Sequence, residues 1–126
     1  MMKILVVDDE RDVQTLFEQR FRREIKNKRV EFAFAVSGDD ALEMLNRWNH
    51  ETLLILSDIN MPGMSGLQLL EQVKKTYTKP PPVVMMITAY GDAENYRMAK
   101  SLGADDFLTK PVDFTMLKEK LNLAGS

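Results

Sequence analysis

The chain has 126 residues, 17 Lys plus Arg against 19 Asp plus Glu, and no Cys, which suits one domain, 1–126, able to bury a core without disulfide or metal staples. The missing Cys removes disulfide frameworks, thiolate zinc sites and cysteine nucleophiles together and fits a reducing compartment, so a cytoplasmic location is expected. A formal charge of −2 offers no general field for nucleic acid, and no apolar run approaches the roughly 20 residues of a membrane helix.

In chain order, continuous apolar runs alternate with helical patterns. The runs lie at residues 3–7, 30–36, 52–57, 82–88 and 106–109 and read as five strands. Between them, Val13, Leu16, Phe17 and Phe21, then Ala41, Leu42, Leu45 and Trp48, then Leu67, Leu70, Val73 and Tyr77 recur at helical spacing. A fourth helix is predicted over roughly Asp92 to Leu102, with Tyr96, Met98, Ala99 and Leu102 as its apolar residues and Gly103 as its stop. A fifth is predicted from about Asp113, carrying Met116, Leu117 and Leu121. Ser37 to Asp40 reads as a capping box opening the second helix, and Lys79 to Pro82 as a stiff connector. Strands with little polar alternation, separated by helices, predict a parallel sheet covered on both faces, a doubly wound α/β domain.

In such a sheet the functional crevice lies beyond the carboxyl ends of the strands. Asp8 and Asp9 follow the first strand, Asp58 ends the third, Thr88 the fourth, and Lys110 with Pro111 follows the fifth. Three converging carboxylates repel one another unless a cation or shared protons relieve them. Hard oxygen ligands without His or Cys favour Mg²⁺, which reaches for phosphate while keeping waters. Lys110 offers a point charge to a phosphoryl group and Thr88 a hydroxyl donor. Together they describe a metal-assisted phosphoryl site.

"VVDDE" (6–10), "SDINMPGMSG" (57–66), "ITAY" (87–90) and "GADDFLTKP" (103–111), with 49, 30 and 22 residues from Asp9 to Asp58 to Thr88 to Lys110, resemble the CheY-like receiver domain of two-component response regulators over essentially the whole chain. The resemblance implies a (βα)5 flavodoxin-like fold with strand order 2-1-3-4-5. It implies that Asp58 is the phosphoacceptor, charged by a sensor histidine kinase or a phosphotransfer protein. Asp9 and Asp58 would then ligate Mg²⁺ directly, Asp8 through water and Asn60 through its backbone carbonyl. Lys110 and Thr88 would hold the phosphoryl oxygens. Thr88 and Phe107 would form the switch, Lys110-Pro111 would be a cis step, and Ser65 would cap a helix where the family often has Asp. Such a chain catalyses only its own phosphorylation and dephosphorylation and is otherwise no enzyme. Asn60 and Tyr90 would tune the phosphoryl lifetime, Asn60 by orienting water and Tyr90 by covering the bond. Homodimerisation on phosphorylation is expected through the fourth helix, fifth strand and fifth helix, near Tyr96, Lys100 and Phe107. The chain is expected to be a stand-alone receiver or the N-terminal module of a longer regulator.

Rival readings fare less well. A haloacid-dehalogenase-type phosphatase needs a second acid two residues after its nucleophile, where this chain has Asn60. A flavin binder needs hydroxyls and amides where Asp8 to Asp12 is acidic. A pseudo-receiver that binds a partner without phosphorylation is the remaining alternative. His50 has no companion ligand, and the nine Met residues, Met61, Met64, Met85 and Met86 among them, read as gap-fillers. The basic stretch Arg20, Arg22, Arg23, Lys26, Lys28 and Arg29 reads as a solvated helix end favoured by the dipole rather than as a phosphate patch.

Overall fold

The computed structural model describes residues 2–48, 54–77 and 82–123. Residues 52 and 53 of the third predicted strand, His50, and Lys79 to Pro81 of the predicted connector lie outside them. Five strands, β1 (Met2–Val7), β2 (Val30–Ala35), β3 (Leu54–Asp58), β4 (Val83–Thr88) and β5 (Asp106–Thr109), form one parallel sheet in the order β2-β1-β3-β4-β5. Helices α1 (Asp12–Arg20), α2 (Arg22–Lys26), α3 (Gly38–Trp48), α4 (Gly66–Thr76), α5 (Ala93–Ser101) and α6 (Phe114–Lys120) cover it.

Successive residues of a strand point to opposite faces, and the two cores divide β1 accordingly. Ile4 and Val6 pack with Phe17, Phe21, Leu56, Ile87, Leu108 and Leu117 beneath α1, α2 and α6. Leu5 and Val7 pack with Ala41, Leu45, Ile55, Leu70, Val73, Met86 and Ala99 beneath α3, α4 and α5. Burial on both faces is the reason for the continuous apolar run at residues 4–7.

The first predicted helix is broken in two. Phe21 leaves helical geometry at φ −106° and ψ 18°, yet its N–H still reaches the Phe17 carbonyl at 2.9 Å and its carbonyl still accepts from Ile25. Its ring is fully buried, lying 4.9 Å from Phe32 and 6.0 Å from Phe17. Both rings of this i, i+4 pair enter one aromatic cluster. The fourth and fifth predicted helices are therefore α5 and α6 here.

The helix starts follow local chemistry. Ser65 and Gln68 form a reciprocal capping box on α4, while Asp92 and Asp113 cap α5 and α6. At Ser37 to Asp40 the box is offset. The Ser37 hydroxyl accepts from the Asp40 N–H, but the Asp40 carboxylate accepts from Val36 instead of the cap residue. Gly103 follows α5 with φ +99°, a left-handed stop that glycine adopts without strain. Met61, Met85 and Met86 are buried in the cores, whereas Met98 and Met116 are exposed.

Candidate functional site

Extensions of the sheet ladder hold the chain at three of the strand ends that carry the site. The Asp8 N–H donates to the Ala35 carbonyl at 3.0 Å, Ile59 to Ile87 at 3.2 Å, and Lys110 to Thr88 at 2.9 Å. Asp58 is the last residue of β3 and pairs in register with Ile87. The loop after it returns so closely that a Cβ on Gly66 would lie 2.1 Å from the Asp58 carbonyl oxygen and 2.7 Å from the Ile59 Cα. Only glycine allows the start of α4 to pack against the backbone of Asp58. Spacing alone does not reveal that requirement, although the turn-rich loop from Met61 to Gly66 signals a tight return.

Carboxylate oxygens of Asp8, Asp9 and Asp58 lie within 4.8 Å of one another. Asp58 is 2% exposed, and both of its oxygens have donors. Lys110 Nζ donates to Oδ2 at 2.6 Å and the Asn60 N–H to Oδ1 at 3.2 Å. Asp8 accepts from the Glu10 N–H at 2.9 Å. Burial pushes the Asp8 carboxyl above its ordinary range, and the Asp58 charge adds to this against the opposing Glu10 hydrogen bond and Lys110. Burial works against the charge on Lys110, but its hydrogen bond to Asp58 and the surrounding carboxylates more than offset it, so the ammonium is held above its usual range.

One lysine against three carboxylates leaves the cluster negative, and every side-chain donor is a hard oxygen. That set fits Mg²⁺ and suits neither zinc nor copper. The three carboxylates Asp8, Asp9 and Asp58 together could hold such a cation.

The remaining predicted residues lie around this centre. Thr88 is buried, and its hydroxyl approaches the Leu108 carbonyl at 3.5 Å rather than any site carboxylate. Phe107 pairs in register with Met86, and its half-buried ring lies 4.3 Å from the Tyr96 ring on α5. The Lys110–Pro111 bond is cis. Asn60 is exposed beside Asp58 and touches it through its backbone N–H. Tyr90 is 90% exposed in the turn after β4, so in this structure its ring stands in solvent and not over Asp58.

A cleft of about 720 Å³ opens beside the site, between α1 and the chain from Lys110 to Thr115. Asp8, Glu10 and Lys110 line its polar end and Val13, Leu16 and Phe114 its apolar wall. Leu16, predicted for the core, stands 40% exposed on that wall.

The comparisons agree with this geometry. The family described as "Response regulator receiver domain" matches residues 4–122. The response regulator protein PilR of Pseudomonas aeruginosa is 38% identical over 93% of this chain, and the chain spans only 24% of that curated relative. The receiver domain of NtrX from Brucella abortus is 31% identical with a TM-score of 0.75, covering 98% of this chain and 99% of that one. The chemotaxis protein CheY4 of Vibrio cholerae is 25% identical with a TM-score of 0.81, covering 97% of both chains. With the sheet order, the strand-end site and a match over nearly the whole length in agreement, the chain belongs to the response regulator receiver domain family.

Proposed function

We propose that the chain accepts a phosphoryl group on Asp58 from a sensor histidine kinase or a phosphotransfer protein and changes conformation to control an output. The observation that carries this reading is the buried Asp58 carboxylate, held between Lys110 Nζ and the Asn60 N–H beside two further acids. An Asp58 oxygen attacks the phosphorus of a phosphohistidine. The P–N bond breaks, its electron pair stays on the departing imidazole, and an acyl phosphate forms. Asp58 is pre-positioned because both oxygens are already hydrogen-bonded, which removes much of the entropic part of the barrier. Lys110 passes from the carboxylate to the phosphoryl oxygens and keeps its charge where negative charge accumulates. Asp9, Asp58 and the Asn60 carbonyl, with Asp8 through water, would hold Mg²⁺, which would supply the positive charge that screens an anionic nucleophile from an anionic donor.

The Thr88 hydroxyl has only a long bond to Leu108 to give up, so a phosphoryl oxygen offers it a stronger acceptor. Its movement frees space beside β5, into which the Phe107 ring can turn from Tyr96. The chain modifies itself and turns over no second substrate. The pseudo-receiver alternative has no observation in its favour, because each residue the chemistry needs is at the strand ends. Incubation with acetyl phosphate and Mg²⁺ is expected to add one phosphoryl group, read by intact mass, and Asp58→Ala is expected to abolish it. Undiminished labelling of Asp58→Ala, or labelling that needs no divalent metal, overturns the proposal.

A further inference from the structure

We infer that a basic groove between α1, α2 and α6 is a docking site for an acidic peptide segment of a partner protein. The groove has a volume of about 810 Å³ and is lined by Arg20, Arg22, Arg23, Lys26 and Lys118 around a single acid, Glu24. Five cations against one anion stand out in a chain whose formal charge is −2. The solvated-end reading of this stretch explains cations at the end of a helix. It does not explain why a cation on α6 joins them around a concavity.

The floor is built rather than incidental. Glu24 is 5% exposed and pairs with Lys118 at 3.2 Å, while its Oε1 is buried with no hydrogen-bond partner among the described residues. Lys118 lies over the Phe21 ring and Arg20 over the Phe114 ring, at 5.2 and 5.6 Å, so two of the cations are held in place by the aromatic cluster beneath. Arg22, Arg23 and Lys26 are exposed and make no ion pair among the described residues.

Charge complementarity decides the partner. Arginine forks match carboxylates two bonds at a time, and clusters of them recognise acidic motifs. Arg22, Arg23 and Lys26 have no acidic partner among the described residues and stand together on this surface, open to the carboxylates of a short acidic segment. Arg20 also lines the cleft that leads to Asp8 and Lys110, so a partner seated in the groove lies beside the approach to the strand-end site.

The test titrates fluorescein-labelled octaglutamate into the full chain and follows anisotropy at low and physiological salt. Octaglutamine, a single-stranded oligonucleotide of equal charge and phosphatidylglycerol vesicles are run in parallel. Octaglutamate is expected to bind in a salt-sensitive manner. The pair Arg22→Glu and Arg23→Glu is expected to weaken binding by about tenfold or more. The pair Arg47→Glu and Lys75→Glu, exposed cations outside the groove, should leave it nearly unchanged. None of these four side chains makes an ion pair among the described residues, and each pair reverses one or two cations in a helix's last turn at about 0.3–1 kcal/mol apiece, so both pairs of variants should stay folded with similar small drops in Tm. Failure of octaglutamate to bind at low salt, equal losses in both pairs of variants, or tighter binding of the oligonucleotide or the vesicles overturns the proposal. Acetyl phosphate labelling of Asp58 is unaffected by the groove variants, so this outcome is independent of the phosphoacceptor reading.

Discussion

The two faces of the sheet are packed by different chemistry. Beneath α1, α2 and α6, Phe17 touches four other rings, Phe21, Phe32, Phe34 and Phe114, at centroid distances from 5.1 to 6.3 Å. Beneath α3, α4 and α5 the core is mostly aliphatic and Met-rich, with Tyr77 buried in it and Trp48 packed against it but no interlocked ring cluster, and the pair Tyr96 and Phe107 sits at the margin with Tyr96 41% exposed. Interlocked rings resist repacking because each displacement opens voids around its neighbours. A half-exposed pair can turn at small cost. The first face anchors the sheet; under the proposed function the second is the face that reports a change at Thr88, which lies on the strand next to Phe107.

The sharpest way to break this comparison is to truncate a ring on each face. Phe17→Ala should cost about 3–5 kcal/mol in urea unfolding, the usual range for a buried Phe. Phe107→Ala should cost clearly less, about 1–2 kcal/mol, because its ring is already partly solvated. Equal losses would abolish the distinction between anchor and reporter.

A smaller effect is expected at the edge where both faces meet. Mg²⁺ at about ten times its dissociation constant should stabilise the fold by about 1.4 kcal/mol, raising Tm by roughly 4 °C for a domain of this size. Asp8→Asn should have the opposite signature. The Asp8 carboxyl is raised in the fold, so its ionised form costs stability above the folded value, and this cost fades as pH falls through that value toward the ordinary 3.8. Without metal, Asp8→Asn should therefore melt higher than the parent at neutral pH. The advantage should shrink on acidification, and adding Mg²⁺ should narrow or reverse it. A mutant that melts lower without metal at neutral pH would contradict the charge imbalance.

The reporter pair itself should couple weakly in the resting form. A double-mutant cycle of Tyr96→Ala and Phe107→Ala should give about 0.5–1.5 kcal/mol, and a phosphoryl mimic should reduce it as Phe107 turns away. Sedimentation of the same samples tests whether the α5, β5 and α6 face gains a tendency to dimerise. Unchanged coupling together with an unchanged monomer would move the output elsewhere.

The least effect is expected at Tyr90. Its ring is 90% exposed, so Tyr90→Ala should change the phosphoryl lifetime by less than about twofold, roughly 0.4 kcal/mol of barrier. Decay after donor removal at constant Mg²⁺ measures it. A several-fold shortening would show that the ring folds over Asp58 once the phosphoryl group is in place, as the sequence-based shielding idea requires.

Much of this protein is legible in its sequence. Apolar runs buried on both sides of a sheet cannot alternate, and the helices between them must show a single apolar stripe, so residues 4–7 and the spacing around Leu70 and Val73 already imply a covered parallel sheet. The strand ends then place Asp8, Asp58, Thr88 and Lys110 on one edge, because a parallel sheet exposes all its carboxyl ends together. Other features depend on contacts between distant residues, and no local pattern carries them. The buried ring of Phe21, at the bend between α1 and α2, packs against Phe32 on β2, far away in sequence. Gly66 is required by the Asp58 carbonyl that folds back on it. The partner of the Thr88 hydroxyl lies on β5, and Tyr90 faces solvent because of how its turn leaves β4. The basic groove belongs to this second group. Its residues stand in a run that reads as an ordinary helix end, and only the packing of α6 against α2 brings Lys118 and the buried Glu24 together to turn that run into a concave surface.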